Sequence, residues 1–537
     1  MAFSRILKRL VSLCLLPLAS FAFAQKATDV VVYGGTASGV IAAYSVAREG
    51  LHVQLLEPGS HLGGMVTGGL SATDLGEVHI IGGYARDFYL RAAAHYNVHV
   101  LESTLNWHSE PHVDEELFRQ MLTEAGVEVI LHERIREKSG ASMQTHRIRS
   151  ITTMDGKQWA AKVFIDCSYE GDLLAQAGVS YVFGREGIDD FHEDLAGVRA
   201  LTPAHQFTWG LNAYDANHKL LPEIDQGPLA TPGCADKKVQ AYNFRLILTH
   251  NPDNKLTWPK PEHYESTRFA LLARYLNEFA EHRGRAPNLH DITNPVLIPN
   301  DKADFNNNGP VSTDYIGHSW LYPSATYAQK QVIWDYTLNY TQSFFYFLSQ
   351  DPSVPVTLRD EVNSWGLPRD ELADTNHWPN QLYIREARRM HGAYVMRQAD
   401  LQTDRTKPDS IGMGSYNSDS HNVQRVTRAD GTVTNEGDVQ VPVKPYEIAY
   451  RTITPAASQL TNLLVPVCFS ATHIAYSSLR MEPQYMIMGQ AAGAAASLSI
   501  RSRVPVQDIS IEALQSNLRA HKAILHMTEA RAPGSSR

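Results

Sequence analysis

The chain has 537 residues, of which 43% are hydrophobic and 20% charged, and a formal net charge of −9. That length is more than one hydrophobic core organises, so two or more domains are expected, with the composition of an ordinary soluble globular protein. The acidic balance excludes a nucleic-acid footprint, which needs a basic face.

The first 24 residues read as a cleaved signal peptide. Arg5, Lys8 and Arg9 make a positive start, Leu10 to Phe21 is apolar, and Ala22-Phe23-Ala24 is a small-x-small cleavage site before Gln25. The apolar stretch is too short to remain as a membrane anchor. There is no twin arginine, and Cys14 lacks the preceding small residue of a lipoprotein, so export by the general route is expected, giving a periplasmic or secreted protein. Removing the three basic residues takes the charge from −9 to −12. Cys167, Cys234 and Cys468 then remain. Their number is odd and their spacing wide, so neither a disulfide framework nor a Cys-x-x-Cys site is available; Cys167 and Cys468, in apolar runs, are expected as buried thiols.

The stretch from Asp29 to Glu57 organises the rest of the chain. Val30 to Tyr33 is a strand, Gly34-Gly35-Thr36-Ala37-Ser38-Gly39 a glycine-rich turn, Val40 to Glu49 a small-residue helix, and a second apolar strand ends at Glu57. This is the logic of dinucleotide binding. Glycines let the backbone close on a diphosphate, the helix start offers free N–H groups, and the acid at the second strand's end accepts from a ribose. Thr36 stands where the motif's second glycine is expected and still presents its N–H. A second glycine-rich segment, Pro58 to Gly69, brings more backbone close to something flat or phosphorylated.

Asp114 to Ala125 is a predicted amphipathic helix stopped by Gly126, Val127 to Ile135 a strand, and Val163 to Ile165 another that breaks into Asp166 to Asp172, a place where ligands meet the ends of parallel strands. From about Gly187 to Gly431 the alternation of strand and helix fades and aromatic residues and prolines multiply, as in an inserted domain. Tyr322 to Leu348 is expected as a long aromatic helix. Asp304, Asn306, Asn308 and Gly309 imitate half of a calcium loop, but Tyr315 stands where the bidentate acid belongs, so an asparagine-rich turn is preferred and no metal is expected. Asn462 to Phe469 (strand), Ser470 to Glu482 (loop) and Pro483 to Ile500 (helix with a small-residue face) return the chain to the first domain.

Taken together, Gly34 to Gly39, Leu62-Gly63-Gly64-Met65, Asp166 to Asp172, Tyr383 to Arg389, Gly414-Ser415-Tyr416 leading to Asp419 and His421, Pro445 to Ile448, and Ser470 to His473 through Arg480 to Gly493 resemble the exported FAD-dependent oxidoreductases of bacteria. Their cofactor domain is similar to that of glutathione-reductase-like two-domain flavoproteins. The resemblance implies an α/β fold with a Rossmann-like parallel sheet. The FAD-binding domain is then discontinuous, at 25–186 and 432–520, with an inserted α+β substrate domain at 187–431 and a tail at 521–537. It also implies that Gly34, Gly35, Thr36, Ala37, Ser38 and Gly39 hold the FAD diphosphate, Glu57 with Pro58 the adenosine ribose, Gly63, Gly64 and Met65 the flavin edge, and the backbone of Arg134 and Ile135 the adenine. Asp166, Gly489, Ala491 and Ala492 complete the set. Cys468-Phe469-Ser470 replaces the Gly-Asp pair usual in related flavoproteins, so Ser470 or Thr472 is expected to take over its ribityl contact.

For chemistry, His473 is the candidate acid/base and Arg480 the flavin or substrate anion binder, both in the loop before the closing helix. A second constellation places Arg385, Glu386, Arg388 and Arg389 on one helix, with Asp419, His421, Tyr446 and Arg451 approaching from loops. It is read either as a site for a polar substrate, with Arg385 and His421 catalytic, or as an ion-pair network joining two domains. No second glycine-rich strand–turn–helix unit is present, so an NAD(P)H domain is not expected, and electrons would pass to oxygen, a quinone or a redox protein. The expected activity is dehydrogenation of a small polar, carbohydrate or hydroxylated, substrate. The alternatives are a flavin-dependent reductase of a conjugated acid, or a non-catalytic carbohydrate-binding protein that keeps FAD for stability.

Overall fold

The computed structural model describes residues 28–101 and 103–530. The expected leader and the last seven residues lie outside that range. Among the described residues no helix is long and apolar enough to cross a membrane.

A five-stranded parallel sheet carries the first domain, in the order Leu463–Leu464, Val163–Asp166, Val30–Tyr33, Val53–Glu57, Glu128–Leu131. The central strand Val30–Tyr33 is wholly buried, as expected of a β-branched run covered on both faces. Helix Ala37–Arg48 starts at its capping residue Thr36 and crosses to the second strand. The closing helix Glu482–Ser502 lies against it so closely that Gly489 and Gly493 have no room for a side chain. A Cβ there would sit 2.4 Å from the Ser38 carbonyl oxygen and 2.6 Å from that of Ala42. The C-terminal return of the first domain is therefore held at both the sheet edge and this helix pair.

A second core gathers Phe207, Trp258, Phe269, Tyr275, Phe344 and Phe345. It is built from the antiparallel strands Leu246–Thr249, Lys302–Asn307 and Thr293–Ile298 with helices Ala270–Arg283, Tyr327–Gln350 and Val356–Ser364. The long aromatic helix begins five residues later than Tyr322, because Thr326 caps it in a capping box with Gln329 and the preceding Tyr322–Ser324 is a separate 3₁₀ turn.

Several expectations are corrected. Arg385 to Arg389 is not helical; the segment is extended, and Arg389–Met390 pairs with Tyr181–Val182. Here tertiary partners override helix propensity, since the Tyr383 N–H donates to the Asn243 carbonyl and every arginine side chain reaches a separate acceptor. Ser470 to Glu482 is not one loop. Thr472 caps a helix, His473–Leu479, with its hydroxyl accepting from the Ala475 N–H at 3.2 Å, so His473 is a first-turn residue and Arg480 follows the last turn. The last strand shrinks to Leu463–Leu464, and the strand expected to reach Ile135 ends at Leu131. Asp304 and Asn306 lie within strand Lys302–Asn307, and the Asp304 carboxylate accepts from Arg245 Nε and the Ala72 N–H, both at 2.9 Å, so neither a calcium loop nor a turn forms there. Cys167 and Cys468 are buried free thiols and Cys234 is exposed.

Candidate active site

The turn after the central strand has the geometry of a phosphate cradle. Gly34 takes φ +94°, and a Cβ there would meet the Ser168 nitrogen at 2.7 Å; at Gly39 it would overlap the Gly34 carbonyl oxygen at 1.9 Å. Thr36 needs no such freedom. It is extended (φ −61°, ψ 171°), accepts from the Gly39 N–H at 3.3 Å and donates to the Cys167 carbonyl at 2.9 Å, tying the turn to the neighbouring strand. Glu57 accepts from the N–H groups of Gly35 (2.6 Å) and Gly59 (2.5 Å). Burial outweighs those two donors and pushes its carboxyl up to about 7. The second glycine segment runs alongside, with the Gly63 N–H donating to the Gly35 carbonyl at 2.7 Å.

Gly64 approaches Tyr169, whose hydroxyl accepts from the Met65 N–H (3.0 Å) and donates to Glu482 Oε1 (2.7 Å) at the start of the closing helix. Burial raises the Glu482 carboxyl to about 8 against the Tyr169 hydrogen bond.

These elements form one side of a cleft of about 470 Å³, in which Gly34, Thr36, Glu57, Pro58, Gly64 and Arg134 are lining residues. Tyr327, Lys330 and Trp334 of the inserted helix form the opposite side, and Trp378, Asn380 and Gln381 line it as well. Backbone cradle, terminal acid and a cleft of this size suit a dinucleotide. The sequence did not single out the inserted wall. The aromatic helix was legible, but which of its faces met the cleft was not.

Other expected cofactor residues have partners within the protein. Ile135 is fully buried, its N–H donating to the Tyr33 hydroxyl and its carbonyl accepting from the Tyr327 hydroxyl, while the Arg134 carbonyl accepts from the Met154 N–H. Asp166 turns back on its own chain, accepting from Ser168 Oγ at 2.7 Å and the Leu174 N–H at 2.7 Å. Ser470 Oγ accepts from the Gly392 N–H at 3.0 Å. Gly489 packs on the first helix, and Ala491 and Ala492 are core residues of the closing helix. Ala37, Ser38 and Gly39 form the first turn of the helix behind the cradle.

The four catalytic candidates do not line this cleft; they meet in a buried polar layer beside it. Asp314 is shared, with Oδ1 3.0 Å from Arg385 Nη1 and Oδ2 2.7 Å from His421 Nδ1. Burial pushes Asp314 up, yet Arg385 and His421 together hold it at about 2. His421 is lowered to about 4 by burial and then by the Arg385 charge. A carboxylate only accepts, so Nδ1 carries the proton and Nε2 keeps its lone pair, 3.8 Å from Asp419 Oδ2. Arg480 donates to the Tyr383 hydroxyl (2.8 Å) and to Asp419 Oδ2 (3.1 Å).

His473 forms a second dyad, with Nδ1 2.7 Å from Glu386 Oε2, and is lowered to about 3 by burial and then by Arg389 and Arg185. Gln240 joins the dyads, accepting from the His421 N–H at 3.0 Å and donating to Glu386 at 3.3 Å. Tyr446 and Arg451 stay outside the layer; the former bonds Ser478 and the latter lies over the Tyr394 ring. Arg388 instead reaches Asp172 at the cleft (3.1 Å). One extended segment links cleft and layer, since Asn380 and Gln381 line the first while Tyr383, Arg385 and Glu386 belong to the second.

The three potential metal ligands that cluster among the described residues, Glu110, His112 and Glu371, surround an ammonium. Lys302 Nζ lies 2.6 Å from both acids, the position a cation would take.

No curated protein matches the chain. Among solved structures it is similar to THI4 of Thermovibrio ammonificans, with 19% identity over 30% of this chain and 66% of that one and a TM-score of 0.22. It is also similar to NikD, described as an unusual amino acid oxidase of nikkomycin biosynthesis (13% identity, 30% and 57% covered, TM-score 0.23). OxyS anhydrotetracycline hydroxylase from Streptomyces rimosus aligns over 92% of this chain and 65% of its own at 10% identity and a TM-score of 0.35. The chain thus spans about two thirds or less of the length of each. Residues 29–518 match the FAD dependent oxidoreductase family, which covers the cradle, the inserted wall, the polar layer and the closing helix together, and the chain belongs to that family.

Proposed function

We propose that this FAD-dependent oxidoreductase dehydrogenates a small polar, carbohydrate or hydroxylated, substrate outside the cytoplasm and passes the electrons to oxygen, a quinone or a redox protein. The observation that carries the reading is the Asp314–His421 dyad, a neutral imidazole oriented by a carboxylate in a layer contiguous with the cofactor cleft. FAD bound in the cleft supplies the hydride acceptor. His421 Nε2 takes the proton that leaves the substrate hydroxyl, and the resulting imidazolium is stabilised by Asp314. Arg385 and Arg480, with guanidinium carbons 4.6 and 5.6 Å from the Tyr383 ring centre, orient oxygen substituents. Export is supported by the basic, then apolar, then small-x-small pattern of the first 24 residues.

A second reading, reduction of a conjugated acid, draws on the same two arginines. Arg385 Nε and Nη2 are buried without hydrogen-bond partners, a donor pair suited to a carboxylate.

The test is anaerobic mixing of the yellow protein with a panel of polyols, sugars and hydroxy acids while following flavin absorbance near ~450 nm. His421→Gln should slow bleaching about 10²- to 10⁴-fold while leaving the colour. Bleaching at the unaltered rate in His421→Gln and its loss in His473→Gln would transfer the base to the second dyad. A flavin that no substrate bleaches would favour the reductase, tested by reoxidation of chemically reduced enzyme with unsaturated acids.

A further inference from the structure

The cleft presents a charge problem that the glycine turn alone does not solve. Glu57, Glu170, Asp172 and Asp374 line it, against Arg134, Lys330 and His61. His61 is engaged with Glu115 and Asp374 at 3.0 and 2.9 Å. The cofactor diphosphate adds two negative charges. The turn's own donors are partly used, because the Gly35 N–H is given to Glu57 and the Gly39 N–H to Thr36.

Lys330 stands opposite, on the inserted helix. It is 6% exposed, and an ammonium buried to that degree ordinarily uses its three donors. Among the described residues its ion pair is a 3.2 Å contact to Asp172 Oδ1, with the Tyr322 and Tyr327 rings 5.4 and 5.6 Å away. Asp172 has a second cation, because Arg388 Nη1 reaches the same oxygen at 3.1 Å. Lys330 is thus a buried cation in the cleft wall that, among the described residues, spends one of its three donors, on an acid it shares with Arg388.

We propose that Lys330 is the diphosphate-binding cation of the FAD site, exchanging its contact with Asp172 for the diphosphate oxygens. With FAD bound, the ammonium would face the diphosphate oxygens and Arg388 would remain the counter-charge of Asp172. The insertion is thereby fastened across the cofactor by a charge that the dinucleotide-binding turn does not carry.

The experiment is fluorescence titration of apoprotein with FAD and, in parallel, with riboflavin, which has the flavin but no phosphate. Lys330→Met should weaken FAD binding about tenfold to a hundredfold, the range of a charge-assisted hydrogen bond, leave riboflavin binding unchanged, and flatten the loss of FAD affinity with added salt. Lys330→Arg should keep most of the affinity. Asp172→Asn, which releases the lysine without removing it, should tighten FAD binding. The inference is overturned if Lys330→Met binds FAD as the wild type does, or loses riboflavin and FAD in equal measure. Should Lys330→Met not fold, an unchanged or weaker FAD affinity in Asp172→Asn overturns it on its own.

Discussion

Adding one methyl group at Gly493 tests whether the two ends of the chain grip each other as tightly as the structure shows. The Cβ of Gly493→Ala would lie 2.6 Å from the Ala42 carbonyl oxygen and 2.6 Å from Ser45 Cβ, where ordinary contact starts at 3.4 Å. The overlap of about 0.8 Å falls on helix backbone, which cannot rotate away as a side-chain tip can. Two effects oppose each other. Replacing a helical glycine by alanine gains about 1 kcal/mol of backbone entropy and propensity, while overpacking a close helix pair costs ~1–3 kcal/mol. With carbonyl and Cβ both in the way the cost belongs at the upper end, leaving about 2 kcal/mol of net destabilisation. For a cooperative unit of ~150–250 residues that lowers Tm by about 4–8 °C. The assay is thermal unfolding of FAD-saturated protein followed by circular dichroism, with Gly489→Ala, whose Cβ would meet the Ser38 carbonyl at 2.4 Å, as an independent second site. A Tm equal to or above the wild type in both variants would mean that propensity wins and that the helices have slack the structure does not show.

Two further outcomes concern the buried carboxyls. Glu482 is raised to about 8, so the native state keeps a proton that the unfolded chain releases near pH 4.5; stability falls as pH rises through that window and levels off above it. Tm measured from pH 5 to 8 should therefore decline less in Glu482→Gln than in the wild type, and parallel curves would remove Glu482 from the pH dependence. Asp314→Asn leaves Arg385 as a buried cation without its carboxylate, a loss of ~3–5 kcal/mol, whereas His421→Gln leaves that pair intact. Urea unfolding should place Asp314→Asn well below His421→Gln, and equal midpoints would show that Arg385 finds another counter-charge.

The glycine-rich turn was legible because its signals are local. Gly34, Gly39 and Glu57 sit within one strand–turn–helix–strand unit, and the structure uses each as backbone chemistry requires. Even the departure at Thr36 resolves locally, since an extended residue with a capping hydroxyl needs no positive φ. The buried polar layer is long-range. Asp314, the residue that joins Arg385 to His421, lies 71 positions before one and 107 before the other, and no spacing rule connects them. Arg385 to Arg389 looked helical because straight-chain residues favour helices, but their acceptors lie on separate segments of the chain. Gly489, Ala491 and Ala492 were legible as a small-residue face; that Gly489 packs on the first helix is a matter of tertiary direction. His473 and Arg480 were rightly placed near the closing helix, but the capping signal of Thr472, which makes a helix of the segment between them, is too short to stand out.

The position of Leu463–Leu464 at the sheet margin carries a consequence for biosynthesis. Polypeptide leaves the ribosome amino end first, and 430 residues separate Tyr33 from Leu463. At ~5–20 residues per second that is a delay of roughly 20–90 s, during which Val163–Asp166 has an unsatisfied flank able to template pairing between nascent chains. A product cut short before the last eighty residues would keep the whole nucleotide fingerprint and still lack the strand and helix that close it, so truncation should yield aggregates and not a weakened enzyme.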